Sequence, residues 1–208
     1  MRKTKEDTLI THNRILDAAV ELFGRQGVSH TSLNDIALQA GVTRGAIYWH
    51  FDNKIALFTA MIERLICPLL LRSEERFQLM RANPLAFLRA GTTEFLNKLS
   101  HDPDFYRVFE ILWHKCEYVG EMATIRHKHL DEGESHIDII QQTIALAQEQ
   151  GQLNRRLDSH QAAIGLVALM DGLIFNWTKN QQMFSLEAYG LPIMDAFFEG
   201  LGANNGDE

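Results

Sequence analysis

Apolar residues recur at steps of three and four along nearly the whole of this chain, and no stretch alternates β-branched with polar residues between turn signals. Ile15, Ala18, Ala19, Leu22 and Phe23 fall on one helical face, and the pattern stops at Gly27. Such patterning builds packed helices and no sheet, so the expected fold class is all-α. At 208 residues, 46% hydrophobic and 23% charged, the chain has apolar surface enough for a buried core, in one large domain or two small ones.

Capping residues mark the helix ends. Ser32, with Asp35 three positions on, reads as the N-cap of an acidic capping box, and Gly41 closes that short helix. Thr43 caps a second short helix over Arg44 to His50, and Asp52-Asn53 precede a long pattern reaching about Met80, kinked at Pro68. Asn83-Pro84 starts a helix to about Ser100, and Asp102-Pro103 starts another. Tyr118 to Gln150 reads as one long helix, weak at Gly120 and Gly133 and ended by Gly151. Asp158-Ser159 opens an apolar helix to about Lys179, and Ser185 opens the last, kinked at Pro192. The polar tail from Gly202 to Glu208 should fray.

Several function classes are excluded on this reading. The longest apolar runs, Leu65 to Leu71 and Ile164 to Phe175, are broken by Pro68 and Asp171 and fall short of the ~20 residues that span a bilayer. The charged N-terminus leads into no apolar segment, so no secretory signal is expected and the location is cytoplasmic. Cys67 and Cys116 make neither a disulfide framework nor a zinc spacing, and read as free thiols packed as small apolar groups. His127, His129 and His136 share a helix, and His114 lies two residues from Cys116, yet none has the four-residue spacing that puts two ligands on one helical face. No metal and no cofactor is expected. No nucleophile and base at catalytic spacing and no glycine-rich phosphate loop is present, so the chain is not read as an enzyme.

Net charge is −7, but it is unevenly placed: residues 1–54 hold seven Lys/Arg against six Asp/Glu, and the remainder thirteen against twenty-one. A nucleic-acid surface therefore depends on where individual cations sit. Two short helices joined by a tight Gly41-Val42 turn have the spacing of a helix-turn-helix, whose second helix enters the DNA major groove by its leading end. That second helix crowds donors and aromatics where a core helix would not. Thr43 and Arg44 stand at the leading end, where an arginine pairs with guanine O6 and N7. Gly45 and Ala46 are small enough to admit the backbone to the groove, while Tyr48, Trp49, His50 and Lys54 reach phosphates, as does the capping Ser32. Trp49 and Phe51 also suit the core of a small domain.

The segment TSLNDIALQAGVTRGAIYWHFDNKIALF (Thr31 to Phe58) resembles the DNA-binding region of the TetR family of bacterial regulators. RKTKEDT near the N-terminus, GVTRGAIYWHF and EILWHKCEYVGEM (Glu110 to Met122) resemble in particular the AcrR-type branch, which represses multidrug efflux pump genes. The resemblance implies three N-terminal DNA-binding helices (residues 1–54), a larger helical domain for effector binding and dimerisation (55–202) and a tail (203–208). It also implies a largely apolar effector cavity among the middle helices. Candidate linings, each row on one helical face, are Ile66 and Leu69; Leu88, Thr92 and Phe95; Phe109 and Trp113; His136 and Ile140; and Asp171 and Phe175. Asp171 interrupts AIGLVALMDGLIFNW, where a carboxylate is costly without a partner, so it either bonds within the protein or meets a polar or cationic ligand group.

The function implied is that of a homodimeric repressor on a palindromic operator, released by hydrophobic or amphipathic small molecules. The apolar faces of the last two helices, with Met170, Leu173, Phe175, Trp177, Met194, Phe197 and Phe198, are expected to supply the dimer. The alternatives are a regulator of lipid or metabolite genes of the same family, and a helical enzyme or ligand carrier without DNA binding.

Overall fold

The described residues of this computed structural model are 5–70 and 74–202, excepting the side chains of 66–70, 121 and 124–135. They contain ten α-helices, and the backbone groups into two compact units, residues 1–70 with 104–127 and residues 71–103 with 128–208.

The first unit is built on α1 (Lys5–Gln26), which buries Ile15, Leu16, Ala19, Leu22 and Phe23 and stops at Gly27, whose φ of 83° only glycine adopts without strain. α2 (Leu33–Gln39) follows with both bonds of the expected capping box, and Gly41, at φ 63°, turns the chain into α3 (Arg44–His50), capped by Thr43. α4 (Lys54–Leu70) sends Leu57, Phe58, Met61 and Ile62 into the same core, so packing carries this unit beyond residue 54. Val108, Ile111 and Met122 complete that core from far along the chain. They belong to α7 (Pro103–Glu110), a π-helical turn over Ile111–Lys115 and a 3-10 turn over Gly120–Met122.

The second unit comprises α5 (Glu74–Ala82), α6 (Pro84–His101), most of α8 (Ala123–Glu149), α9 (Ser159–Lys179), a π-helical turn over Leu186–Gly190 and α10 (Leu191–Gly200). Leu96, Leu99, Ile144, Leu166, Ile174, Met194 and Phe198 are buried in it. Arg89 ties α6 to α10 by pairing with Asp195 while its guanidinium lies 5.1 Å from the centre of the Phe198 ring. The C-terminal end is held by Asn154, whose N–H donates to the Leu201 carbonyl at 2.8 Å.

Three expectations need correction. Tyr118 to Gln150 is not one helix: residues 116–119 are non-helical, Gly120 turns at φ 58°, and α8 begins only at Ala123. The Tyr118 hydroxyl, donating to the Leu112 carbonyl at 3.0 Å, anchors this stretch to the π-helical turn and competes with helix continuation. The long pattern to Met80 is occupied by α4 and α5, while residues 71–73 and the side chain of Pro68, where the kink is expected, lie outside what the structure describes. Pro192 does not kink a helix but opens α10, where its missing N–H costs nothing. Finally, Leu173, Trp177, Met194 and Phe198, expected at a partner-facing seam, are buried within the chain itself, and the Phe197 ring lies against Gly165, 3.3 Å from where a Cβ would stand. The apolar residues left facing outward on α9 and α10 are Ile164, Phe175 and Ile193. α9 is long and apolar enough by composition to cross a membrane, although its runs are interrupted, and a third of its most apolar window is buried inside the chain.

Candidate nucleic-acid interface and effector region

Each short helix of the helix-turn-helix is pinned at its start. The Ser32 N–H donates to Asp35 Oδ2 at 2.9 Å, the Ser32 hydroxyl donates to the same oxygen at 2.6 Å, and the Asp35 N–H returns to Ser32 Oγ at 3.2 Å. Those bonds from Ser32 hold the Asp35 carboxyl below its ordinary pKa. The Ser32 hydroxyl is thereby committed to the cap, and a phosphate would compete with Asp35 for it. Thr43 accepts the Ala46 N–H at 3.2 Å, fixing the leading end of α3. At the turn, Arg14 donates to the Ala40 carbonyl at 2.7 Å, clamping α1 to the end of α2.

α3 buries only Ile47 against α1 and α2, with Phe51 as its buried C-cap. Everything else on it looks outward or sits at the margin. Thr43, Arg44 and Gly45 are exposed, Ala46 and His50 are half-buried, and Tyr48 and Trp49 expose 45% and 71% of their surface. Of the two residues read as core or contact, Phe51 is core and Trp49 is not. The Arg44 guanidinium lies 5.7 Å from the centre of the Tyr48 ring, and the Trp49 ring stands edge-on to His50 at 4.7 Å. An outward row of a guanidinium, a phenol and an indole on a helix fixed at both ends is a rigid donor surface. It fits a polyanion presenting acceptors in a groove.

Lys54 differs. Its ammonium is partly buried and donates to the carbonyls of Val28 at 3.1 Å and Thr31 at 3.3 Å, holding the loop between α1 and α2. We expect Lys54→Met, which keeps the stem and removes the charge, to lower stability by about 1–3 kcal/mol and the melting temperature by several degrees. An unchanged melting curve, with loss only of low-salt DNA affinity, would show that the charge serves phosphate alone.

The sequence did not foretell that the same loop is held from residues 115–117. The Val28 N–H donates to the Lys115 carbonyl at 2.9 Å, and the Ser29 hydroxyl faces Glu117 Oε2 at 3.4 Å. A main-chain bond across 87 positions leaves no residue signature. Cys116, in this strut, is half-buried, and burial pushes its thiol up to about 11, so it is protonated at neutral pH.

Comparison with known proteins shows the family. Residues 15–61 match the family profile of bacterial regulatory proteins of the tetR family, and residues 83–202 match that of the C-terminal region of MAATS-type transcriptional repressors. The HTH-type transcriptional regulator AcrR of Shigella flexneri is 39% identical over 189 residues, covering 89% of this chain and 86% of that protein. The chain belongs to the TetR family. Among solved structures, NalD, the secondary repressor of the MexAB-OprM multidrug efflux pump in Pseudomonas aeruginosa, superposes with a TM-score of 0.86 at 32% identity, covering 96% of this chain and all of that one. The complex of SmeT, the repressor of the Stenotrophomonas maltophilia pump SmeDEF, with triclosan superposes at 0.84 and 26% identity, covering 94% and 93%.

The residues proposed for a TetR-family effector cavity are placed as follows. Phe109 is buried in the first unit, its ring 5.0 Å from that of Phe105, and Trp113 there is exposed. In the second unit Leu88 and Ile140 are buried, Thr92 and Phe95 are half-buried and His136 is exposed. The Thr92 hydroxyl donates to the Leu88 carbonyl at 2.9 Å. Ile66 and Leu69 lie outside the described side chains, as do Cys67, His127 and His129. Among the described residues no three His, Cys, Asp or Glu side chains gather as for a metal ion.

Asp171 is half-buried in α9 with no hydrogen-bond or ion-pair partner among the described residues, and burial alone raises its carboxyl above the ordinary aspartate range. It shares the stripe Ile164, Ala168 and Phe175, at steps of four, three and four, with Ile164 and Phe175 exposed.

Proposed function

We propose that this chain is a homodimeric repressor that occupies a palindromic operator controlling multidrug efflux pump genes and leaves it when an amphipathic small molecule binds. The observation that carries this reading is the extent of the likeness: named efflux-pump repressors resemble both the DNA-binding helices and the whole of the second domain. Residues 1–54 read DNA through Thr43, Arg44, Gly45, Ala46 and Tyr48, with Trp49, His50, Ser32 and Lys54 toward phosphates. Residues 55–202 bind the effector and the second copy.

The strut from residues 115–117 to the loop at 27–31 offers the route of release. Effector occupancy that displaces the π-helical turn over Ile111–Lys115 would pull the Val28 N–H and, through that loop, the capped start of α2. The two half-sites then lose their spacing, and by reciprocity operator DNA weakens effector binding by the same factor.

The direct test is an electrophoretic shift with the DNA upstream of the chain's own gene, followed by titration with triclosan or a cationic dye. A shift reversed by either agrees with the proposal. A shift reversed only by an acyl thioester moves the function to lipid genes, and no shift overturns DNA binding at that site.

Asp171→Asn separates the two places its carboxylate can serve. Because the folded-state pKa is raised, the charged form is disfavoured by folding, so stability is greatest below the ordinary aspartate pKa and declines as pH rises through the raised one. The variant should therefore melt at or above the wild-type temperature at pH 7, the difference vanishing toward pH 4. It should retain operator binding and respond several-fold less to cationic effectors. Unchanged response to cations, with altered dimer dissociation, would place Asp171 against the second copy.

A further inference from the structure

We infer that the second unit carries a surface site for small organic cations, apart from the effector cavity proposed above and independent of DNA binding. It is an open cleft of about 550 Å³ lined by the end of α6, the end of α9 and the segment that leads into α10. Local bonds build it. Asn180 closes α9 and holds the next turn, its side-chain oxygen accepting the Gln182 N–H at 3.0 Å and its carbonyl the Met183 N–H at 3.0 Å. Ser185 then caps the π-helical turn by accepting the Ala188 N–H at 3.2 Å, and that turn buries Leu186 and Gly190. Glu187 and Tyr189, which lie between those two in the sequence, are left exposed.

The chemistry of the lining selects a cation. Three aromatic side chains meet there: Trp177, itself buried, and Phe184 and Tyr189, whose rings stand edge-on with centres 6.3 Å apart. Met183, exposing 66% of its surface, adds a soft apolar wall. The charged groups of the lining are Glu187 and His101, and they are joined, His101 Nε2 lying 3.1 Å from Glu187 Oε1. The other ring nitrogen, Nδ1, stands 2.9 Å from the Asn97 carbonyl, so it carries the N–H that this acceptor needs. A neutral ring therefore turns a lone pair toward Glu187 and leaves the carboxylate charge uncompensated. Aromatic faces beside one such charge bind a quaternary ammonium group, which the ring quadrupoles attract and which needs no hydrogen-bond acceptor. A neutral molecule of the same shape gains only from the area it buries.

The chain's three tryptophans make the test direct, since Trp177 lines this cleft, Trp113 is assigned to the effector cavity and Trp49 stands on α3. Full-length protein labelled with 5-fluorotryptophan gives one fluorine resonance for each. Trp49→Phe and Trp113→Phe, both at exposed positions, identify two of them and leave the third to Trp177. Choline should shift the Trp177 resonance saturably, and its neutral isostere 3,3-dimethylbutanol should do so about tenfold more weakly or not at all. Glu187→Gln and Tyr189→Ala should each weaken choline by about three- to tenfold and melt as wild type does, since both side chains are exposed. The site is overturned if choline leaves the Trp177 resonance unmoved or shifts that of Trp113 alone. Equal affinity for choline and its isostere also overturns it, as does unchanged choline binding by both variants. Dimer dissociation altered by Tyr189→Ala, with choline affinity unchanged, would give the cleft to the second copy instead.

Discussion

Replacing Arg44 by alanine is expected to cost about 1–3 kcal/mol of specific binding at each half-site, and so about 2–6 kcal/mol over a palindrome, while leaving the fold intact. Arg44 is exposed, and its recorded contact within the chain is with the Tyr48 ring at 5.7 Å, a cation–π interaction worth at most about 1 kcal/mol at an exposed site. Little stability is lost with it. Affinity for a duplex selected by the wild-type protein should fall from tens-fold to more than a thousandfold, and discrimination should relax at one base pair in each half-site. Affinity for unrelated DNA should change far less, since one cation among several phosphate contacts is removed. Fluorescence anisotropy with matched and single-substituted duplexes measures this. An Arg44→Ala protein that melts as wild type does and keeps full specific affinity would show that α3 does not read bases.

The double variant Ile164→Glu with Ile193→Glu should be monomeric and lose operator binding by about a thousandfold or more, approaching the level of non-specific association. Ile164 and Ile193 expose 44% and 40% of their surface on α9 and α10, where the chain's own packing leaves apolar side chains facing outward. Glutamates there cost the single chain little but would be desolvated unpaired between two copies. A monomer meets one half-site, whereas two-fold recognition needs two DNA-binding units held at the spacing of successive major grooves. Phe197→Glu, suggested by the hydrophobic pattern alone, would be a poorer test because that ring packs on Gly165 within the chain. Sedimentation velocity at micromolar concentration settles the matter: a monomeric wild type, or a variant that stays dimeric, excludes this surface.

Local rules make most of the helices and many of their ends legible in the sequence alone. Caps act over three residues, so Ser32, Thr43, Asn83 and Asp158 could be read directly as starts, and the glycines at 27, 41 and 151 as stops that demand positive φ. The outward row of α3 is legible too, since a short helix with one large aliphatic residue, Ile47, to bury leaves Arg44, Gly45, Tyr48 and Trp49 exposed. Tertiary structure alone decided how long-range groups are spent. It gave the Lys54 ammonium to two loop carbonyls, joined Val28 to Lys115, turned Met194 and Phe198 inward, and left Ile164, Ile193 and Leu38 facing out and Asp171 half-buried with no partner among the described residues. The physical reason is range: a cap or a helical period is written in neighbouring residues, whereas which apolar face is covered, and which charge finds a partner, depends on segments that meet only after the chain has folded.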